Sequence, residues 1–318
     1  MDSNAALDRF AEDARRGLLS TPKRLDPLYF YDDLGSQLFE AICRLPWYPL
    51  TRAEGALLER HAAEMLAPFA DGVTLVELGC GSGEKLLRLC EPLCARGAPV
   101  RVQLVDISPA ALDLSCRTLA HLGLEITLHQ ATYEDGLAAA AARRPPGSPV
   151  VVLFLGSNIG NLDPEGAAHL LTSIRATLRP GDALLLGADL VKPRDVLLRA
   201  YDDPLGVTAA FNRNLLARMN RELDADFDLS AFAHEARWNA AASRVEMHLV
   251  SRRAQRARLP RAGVEVSFAE GESIWTESSH KYTPESISAL AQRAGFRCRA
   301  QWVEPEARFS TSLLAVDG

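Results

Sequence analysis

The segment Val76-Glu77-Leu78-Gly79-Cys80-Gly81-Ser82-Gly83-Glu84-Lys85 runs an apolar stretch into three alternating glycines and then into a helical pattern. Glycines in such a turn let the main chain approach a ligand closely, and the helix that follows turns its first N–H groups toward it. The spacing G-x-G-x-G puts Glu84 where the dinucleotide fingerprint has its third glycine, which argues against a nicotinamide cofactor. A second apolar stretch ends in Asp106, where a carboxylate can accept hydrogen bonds from both hydroxyls of a ribose. Glycines that serve only helix–strand packing are the alternative for the loop taken alone; Asp106 in register weighs against it. Further along, Leu155-Gly156-Ser157-Asn158-Ile159-Gly160-Asn161-Leu162 leaves another apolar stretch. The amide oxygen of Asn161 could accept a hydrogen bond from a substrate amine and orient its lone pair. The ordinary uses of an asparagine there are a left-handed turn or a helix cap.

These loops need a frame that brings them to one edge. Short apolar runs predict strands over 74–78, 100–106, 126–129, 150–155 and 182–188, alternating with helices over 84–95, 109–122, 136–143 and 164–178. That alternation is the pattern of a parallel, doubly wound α/β sheet, whose ligands bind at the carboxyl ends of the strands. Arg179-Pro180-Gly181-Asp182 ends one helix and turns into the next strand, because proline cannot continue a helix and glycine tolerates the turn. From 193 to 277 the rhythm breaks. A long helix is expected over 195–222, then strands over 236–239, 245–251 and 264–268, so this stretch reads as an inserted α+β lobe. A helix over 284–294 and strands over 296–303 and 310–316 return to the parent sheet. The first fifty residues are too polar for a core of their own and are expected to pack on the insertion. The expected division is therefore 52–190 plus 281–318 for the cofactor and 1–51 plus 191–280 for the substrate.

With 47% apolar and 24% charged residues, the 318-residue chain can bury a real core, which excludes disordered and collagen-like classes. No apolar run approaches the roughly 20 residues that span a bilayer, and the start lacks a signal-peptide core, so a cytoplasmic location and no membrane partner are expected. A formal charge of −6 lacks the basic excess that phosphate backbones attract; a small molecule is favoured over nucleic acid. The six cysteines (Cys43, Cys80, Cys90, Cys94, Cys116 and Cys298) show no pairing with the spacing of a metal site, and reduced thiols are expected, with no metal. A monomer is expected.

Glu77 before the glycine turn, together with Asp106 after the second strand, resembles the class I S-adenosylmethionine methyltransferases. The strand-four loop lacks the Asn/Asp-Pro-Pro-Tyr/Phe motif of DNA and many protein amine methyltransferases. A more specific likeness runs through nearly the whole chain. Tyr29-Phe30-Tyr31-Asp32-Asp33-Leu34-Gly35-Ser36, Arg44-Leu45-Pro46-Trp47-Tyr48-Pro49-Leu50-Thr51-Arg52, residues 154–162, Arg199-Ala200-Tyr201-Asp202-Asp203, Thr208-Ala209-Ala210-Phe211-Asn212-Arg213-Asn214 and Thr276-Glu277-Ser278-Ser279 resemble the histidine Nα-methyltransferases of ergothioneine biosynthesis. The resemblance implies a class I, Rossmann-like sheet with an inserted α+β substrate lobe. It also implies S-adenosyl-L-methionine as cofactor and trimethylation of the α-nitrogen of free L-histidine to hercynine.

By the same resemblance Tyr48 and Tyr201 hold the substrate carboxylate, Asn161 holds the α-amine beside Gly156 with Tyr31 as proton route, and Glu277 and Ser279 grip the imidazole. Two phenols suit a carboxylate, and a carboxylate with a hydroxyl can address two unlike ring nitrogens. Glu77, Gly79, Gly81, Gly83, Lys85 and Asp106 fall to the cofactor, with Thr132 and Tyr133 at the adenine, where the family usually has an acidic residue followed by an aromatic one. Trp47 and Asn158 also depart from the family pattern. The competing readings are the same reaction on another amino acid such as tryptophan, a nicotinamide-dependent oxidoreductase, and a non-catalytic S-adenosylmethionine-binding protein. An indole has no second ring nitrogen to use both Glu277 and Ser279.

Overall fold

Apolar runs with little polar interruption become strands covered on both faces, and the central strands of this chain are of that kind. The computed structural model describes residues 3–316; residues 1, 2, 317 and 318, the outermost of the expected domain limits, lie outside the described residues. The chain opens with helices α1 (Ser3–Leu18), α2 (Asp33–Arg44) and α3 (Leu50–Met65), then alternates β1 (Val73–Leu78), α4 (Glu84–Ala95), β2 (Val100–Asp106), α5 (Pro109–Leu119), β3 (Glu125–Gln130), α6 (Tyr133–Ala142), β4 (Val150–Phe154), α7 (Pro164–Thr177) and β5 (Ala183–Asp189). Helices α8 (Arg194–Tyr201) and α9 (Val207–Glu222) precede five strands: β6 (Phe232–Asn239), β7 (Arg244–Ser251), β8 (Gln255–Leu259), β9 (Val264–Phe268) and β10 (Ser273–His280). Helix α10 (Pro284–Arg293), β11 (Arg297–Glu304) and β12 (Phe309–Ala315) close the chain.

Contacts divide the chain into two compact units, Met1–Tyr48 with Pro193–Ser279 and Pro49–Lys192 with His280–Gly318. The second contains a seven-stranded sheet in the order β11-β12-β5-β4-β1-β2-β3. The pairs among β1 to β5 are parallel, and β12 runs antiparallel to both β5 and β11. This is a doubly wound, Rossmann-like arrangement with an antiparallel strand at one side. Every residue of β1, β4 and β5 is buried, as expected of strands covered on both faces, whereas edge strand β3 alternates partly exposed polar residues. One core face joins Val76, Val152, Phe154, Leu184 and Leu186 to Leu171 and Ile174 of α7 and Ile287 of α10. Strand order reverses between β4 and β1, so the loops after Leu78 and Phe154 open at the topological switch point.

In the other unit β10-β7-β6 form a sheet, β8 and β9 form a hairpin, and α9 buries Thr208, Phe211, Asn212, Leu215, Leu216 and Met219 along one helical stripe. The N-terminal segment belongs here. Leu25 donates to the Trp275 carbonyl and Trp275 to that of Lys23, both at 2.9 Å, extending β10. Asp32 caps α2 and also accepts from Asn214 at 2.8 Å and Arg221 at 2.7 Å on α9.

The expected single helix over 195–222 is two helices. Pro204 and Gly206 (φ +74°) break it, and Asp203 accepts from the amides of Leu205, Val207 and Thr208 at 3.0, 3.2 and 2.7 Å to start α9. Tyr201 is consequently the last residue of α8. Strands β8 and β10 were not expected, and β6 begins at Phe232, ahead of the expected 236. No helix among the described residues is long and apolar enough to cross a membrane.

Buried Asp182 ties two strand starts together. It accepts from Arg144 Nη2 and from the amides of Val150 and Arg179 at 2.7, 2.8 and 2.7 Å. Asp182→Ala should lower stability by about 3–5 kcal/mol, because Arg144 and two amides lose their acceptor at once. Thermal denaturation checks this; an unchanged melting temperature would show that the sheet edge needs no such anchor.

Candidate functional site

The glycine turn after β1 is closed from three sides. Gly79 (φ +77°) faces Asn158 and Tyr133 so closely that a Cβ would lie 3.0 Å from Asn158 Nδ2 and 3.2 Å from the Tyr133 hydroxyl. Gly81 and Gly83 also sit at positive φ. Hydroxyls of α5 hold the loop carbonyls: Ser115 donates to Gly81 at 3.0 Å and Thr118 to Ser82 at 2.7 Å. Asp106, half-buried at the end of β2, takes the Ser108 amide at 2.9 Å on one oxygen and the Cys80 thiol at 3.8 Å on the other. Glu77 is fully buried and its Oε2 has no hydrogen-bond partner. Burial pushes its carboxyl up to about 8, against the pull of nearby Lys85. Tyr133 packs edge-on against Phe154 with centroids 5.2 Å apart. Thr132 caps α6, accepting the Asp135 amide and donating to the Asp135 carboxylate at 3.0 Å, so its hydroxyl is engaged within its own helix.

In the loop after β4 the left-handed residues are Gly156 and Ser157, and Asp163 caps α7 through the Gly166 amide at 2.7 Å. Asn161 has neither ordinary duty. It ends a 3₁₀ turn, Asn158–Asn161, half-buried, with its neighbours fixed. Gly160 packs under the His280 carbonyl, where a Cβ would come within 2.8 Å, and the Tyr282 hydroxyl donates to the Ile159 carbonyl at 3.3 Å. Lys85 pairs with Glu54 of α3 at 2.6 Å, a residue the sequence reading did not single out.

The other unit gathers the remaining expected residues. Tyr48 and Tyr201 are both buried, with ring centroids 6.1 Å apart at 72°. The Tyr201 hydroxyl donates to Ser279 at 2.7 Å. Burial first, then the charges of Tyr201, Cys43, Glu277 and Tyr31, raise the Tyr48 phenol well above its ordinary range, so it remains a donor. Tyr31 packs edge-on against Phe39 and Phe211 at 5.6 and 5.9 Å. Glu277 and Ser279 stand two apart on β10, hence on one face, and Trp275 Nε1 donates to the Glu277 carbonyl at 2.8 Å.

His234 supports this cluster and was also missed from sequence. Its Nε2 lies 2.8 Å from the Tyr201 carbonyl and its Nδ1 2.9 Å from the Asn212 amide nitrogen. An Nε2–H tautomer satisfies both partners, and burial lowers its basicity in keeping with a neutral ring. The six cysteines form no disulfide, and no group of His, Cys, Asp or Glu suited to a metal occurs among the described residues.

A family model described as "histidine-specific methyltransferase, SAM-dependent" matches residues 10–316. The chain is 43% identical over 313 residues to a histidine N-alpha-methyltransferase of Mycolicibacterium smegmatis, covering 98% of this chain and 96% of the relative. It is 43% identical over 305 residues to one of Mycobacterium tuberculosis, covering 95% and 94%. An L-tryptophan methyltransferase of Psilocybe serbica is 28% identical over 338 residues, covering 95% and 92%.

Glu77 makes the stability of the ligand-free protein depend on pH. The folded chain keeps its proton up to about 8, whereas an exposed glutamate ionises near 4.5, so the unfolded state binds fewer protons between these values. Stability therefore falls as pH rises through that window. Glu77→Gln should flatten the slope, gaining on the order of a few kcal/mol over the wild type between pH 5 and 8.5. Denaturant midpoints at both pH values test this; parallel profiles would mean that Glu77 ionises without cost.

Proposed function

Because this chain belongs to the histidine-specific, S-adenosylmethionine-dependent methyltransferase family, we propose that it trimethylates the α-amino nitrogen of free L-histidine to hercynine, a step of ergothioneine biosynthesis. The observation that carries the substrate half of this reading is the grouping of Tyr48, Tyr201, Glu277 and Ser279 in one unit. It offers donors for a carboxylate and an acceptor beside a hydroxyl for an imidazole.

S-adenosylmethionine supplies, when bound, a methyl carbon on a sulfonium that leaves as a neutral thioether. The residues after β1 and β2 suit such a ligand. Asp106 can take the ribose hydroxyls and the turn Gly79-Cys80-Gly81-Ser82-Gly83 admits a close main-chain approach, with Lys85 beside it. The orphaned oxygen of Glu77 suits a cationic group. Tyr133 is assigned to the adenine. Thr132, engaged with Asp135, is left out of that contact.

An α-ammonium is mostly protonated near neutral pH, so a proton must leave before each transfer. Asn161 accepts a hydrogen bond from the amine and directs its lone pair, and Tyr31 provides the route for the departing proton. Tyr48 and Tyr201 donate to the carboxylate, for which the single hydroxyl proton of Tyr201 is redirected from Ser279. Glu277 accepts the ring N–H while the Ser279 hydroxyl faces the other nitrogen. With both ends held, the α-nitrogen is the group left to react. The quaternary product has no N–H to lose, which ends the series at three methyl groups.

Mass spectrometry of a panel of free amino acids incubated with enzyme and S-adenosylmethionine should show methylation of histidine above all others. Glu277→Ala should cut kcat/KM for histidine by about a hundredfold with its melting temperature held, because a buried ring N–H loses its acceptor. Preference for tryptophan, or wild-type histidine kinetics in Glu277→Ala, would remove the imidazole-recognition argument.

A further inference from the structure

Helix α3 carries one carboxylate on its apolar face. Leu50, Ala53, Leu57, Leu58, Ala62 and Met65 are buried at helical spacing, and Glu54 lies among them with no exposed surface. A carboxylate in such a stripe is costly unless it is paired and hydrogen-bonded. Its partners all come from the carboxyl edge of the sheet. The Gly156 amide reaches both Glu54 oxygens, at 3.0 and 2.8 Å, and Lys85 Nζ lies 2.6 Å from Oε2. The slot is cut to fit: a Cβ at Gly187 on β5 would come within 1.9 Å of Glu54 Oε1, and one at Gly156 within 2.9 Å of Lys85 Nζ. Lys85 also acts electrostatically on Glu77, whose Oε2 has no partner. Of these two buried acids, Lys85 pairs with Glu54.

We propose that Glu54 is a positioning residue for methyl transfer: one carboxylate latches the Gly156 loop and draws Lys85 to itself, leaving Glu77 to face the cofactor. The two duties are separable because they use different properties of the same group. Latching Gly156 requires only an acceptor. Holding Lys85 requires a negative charge. A tie that merely joined α3 to α4 would need neither, since an apolar side chain of similar volume fills a buried slot as well.

The proposal rests on the methyltransferase reading, and the test keeps the two apart by using cofactor binding as well as turnover. Glu54→Gln keeps an acceptor for Gly156 and loses the charge. It should weaken binding of S-adenosylhomocysteine, measured by calorimetry, about tenfold, while kcat at saturating cofactor stays within about twofold. Glu54→Leu loses both duties and should lower kcat about tenfold or more besides. In a Lys85→Met background, Glu54→Gln should add nothing to the loss of affinity, since the charge it removes no longer has its partner. Wild-type affinity in Glu54→Gln, or additive losses with Lys85→Met, would overturn the proposal. So would variants whose only change is a lower melting temperature. If Glu54→Leu does not fold, the Glu54→Gln and Lys85→Met cycle still decides. A wild-type chain that binds S-adenosylhomocysteine without methylating histidine would sink the substrate reading and leave the calorimetric arm intact.

Discussion

Carboxyl groups held out of water at the carboxyl edge of a parallel sheet are the constraint on which the proposed cofactor half of this protein depends. Glu54 and Glu77 are buried and Asp106 is half-buried, with Lys85 set among them. Desolvation disfavours each charge, and it keeps Glu77 protonated in the ligand-free chain at neutral pH. The glycines follow from the same crowding. At Gly79 and Gly156 a side chain would collide with groups that the site uses, and at Gly187 with the Glu54 carboxylate. A ligand that brings positive charge relieves the constraint, as a sulfonium bearing an amino-acid ammonium does.

In the proposed substrate half, donors and acceptors are placed on elements that are themselves pinned. Tyr201 ends α8 because Pro204 and Gly206 forbid its continuation, and His234 holds its carbonyl from β6. Glu277 and Ser279 share a face of β10, which is extended by the N-terminal segment at Leu25 and fastened to β7 by Thr276 through the Met247 carbonyl at 3.0 Å. Groups fixed in this way lose little freedom when a small polar ligand arrives, which is how positioning lowers a barrier in a reaction that needs alignment more than a strong base.

Much of the sheet was legible from sequence because β4 and β5 are apolar nearly throughout, as strands covered on both faces must be, and β1 and β2 are apolar at most positions. Strand β10, Ser-Ile-Trp-Thr-Glu-Ser-Ser-His, was not. Its composition is that of a loop, and it is a strand because β7 and the segment at Leu25 supply its hydrogen bonds. The break inside 195–222 was visible in Pro204 and Gly206 but sat between two stretches that both read as helix. The proposed cofactor residues after β1 lie in a loop with recognisable spacing. Residues that position them do not: Glu54 and Gly156 are 102 apart in the chain, and His234 and Tyr201 are 33 apart. For Glu54 a signal did exist, a carboxylate at an apolar position of an amphipathic helix.

Regiochemistry is where the account is most exposed. An imidazole offers a nucleophilic ring nitrogen of its own, so methylation of the α-nitrogen alone requires that the ring be held and the amine be free. The most direct measurement is nuclear magnetic resonance of histidine carried to completion with S-adenosylmethionine labelled with carbon-13 at the methyl group. The account predicts one labelled signal from three equivalent methyl groups on the α-nitrogen. A labelled methyl on either ring nitrogen, or a reaction that stops at one methyl with cofactor in excess and thioether removed, would contradict it.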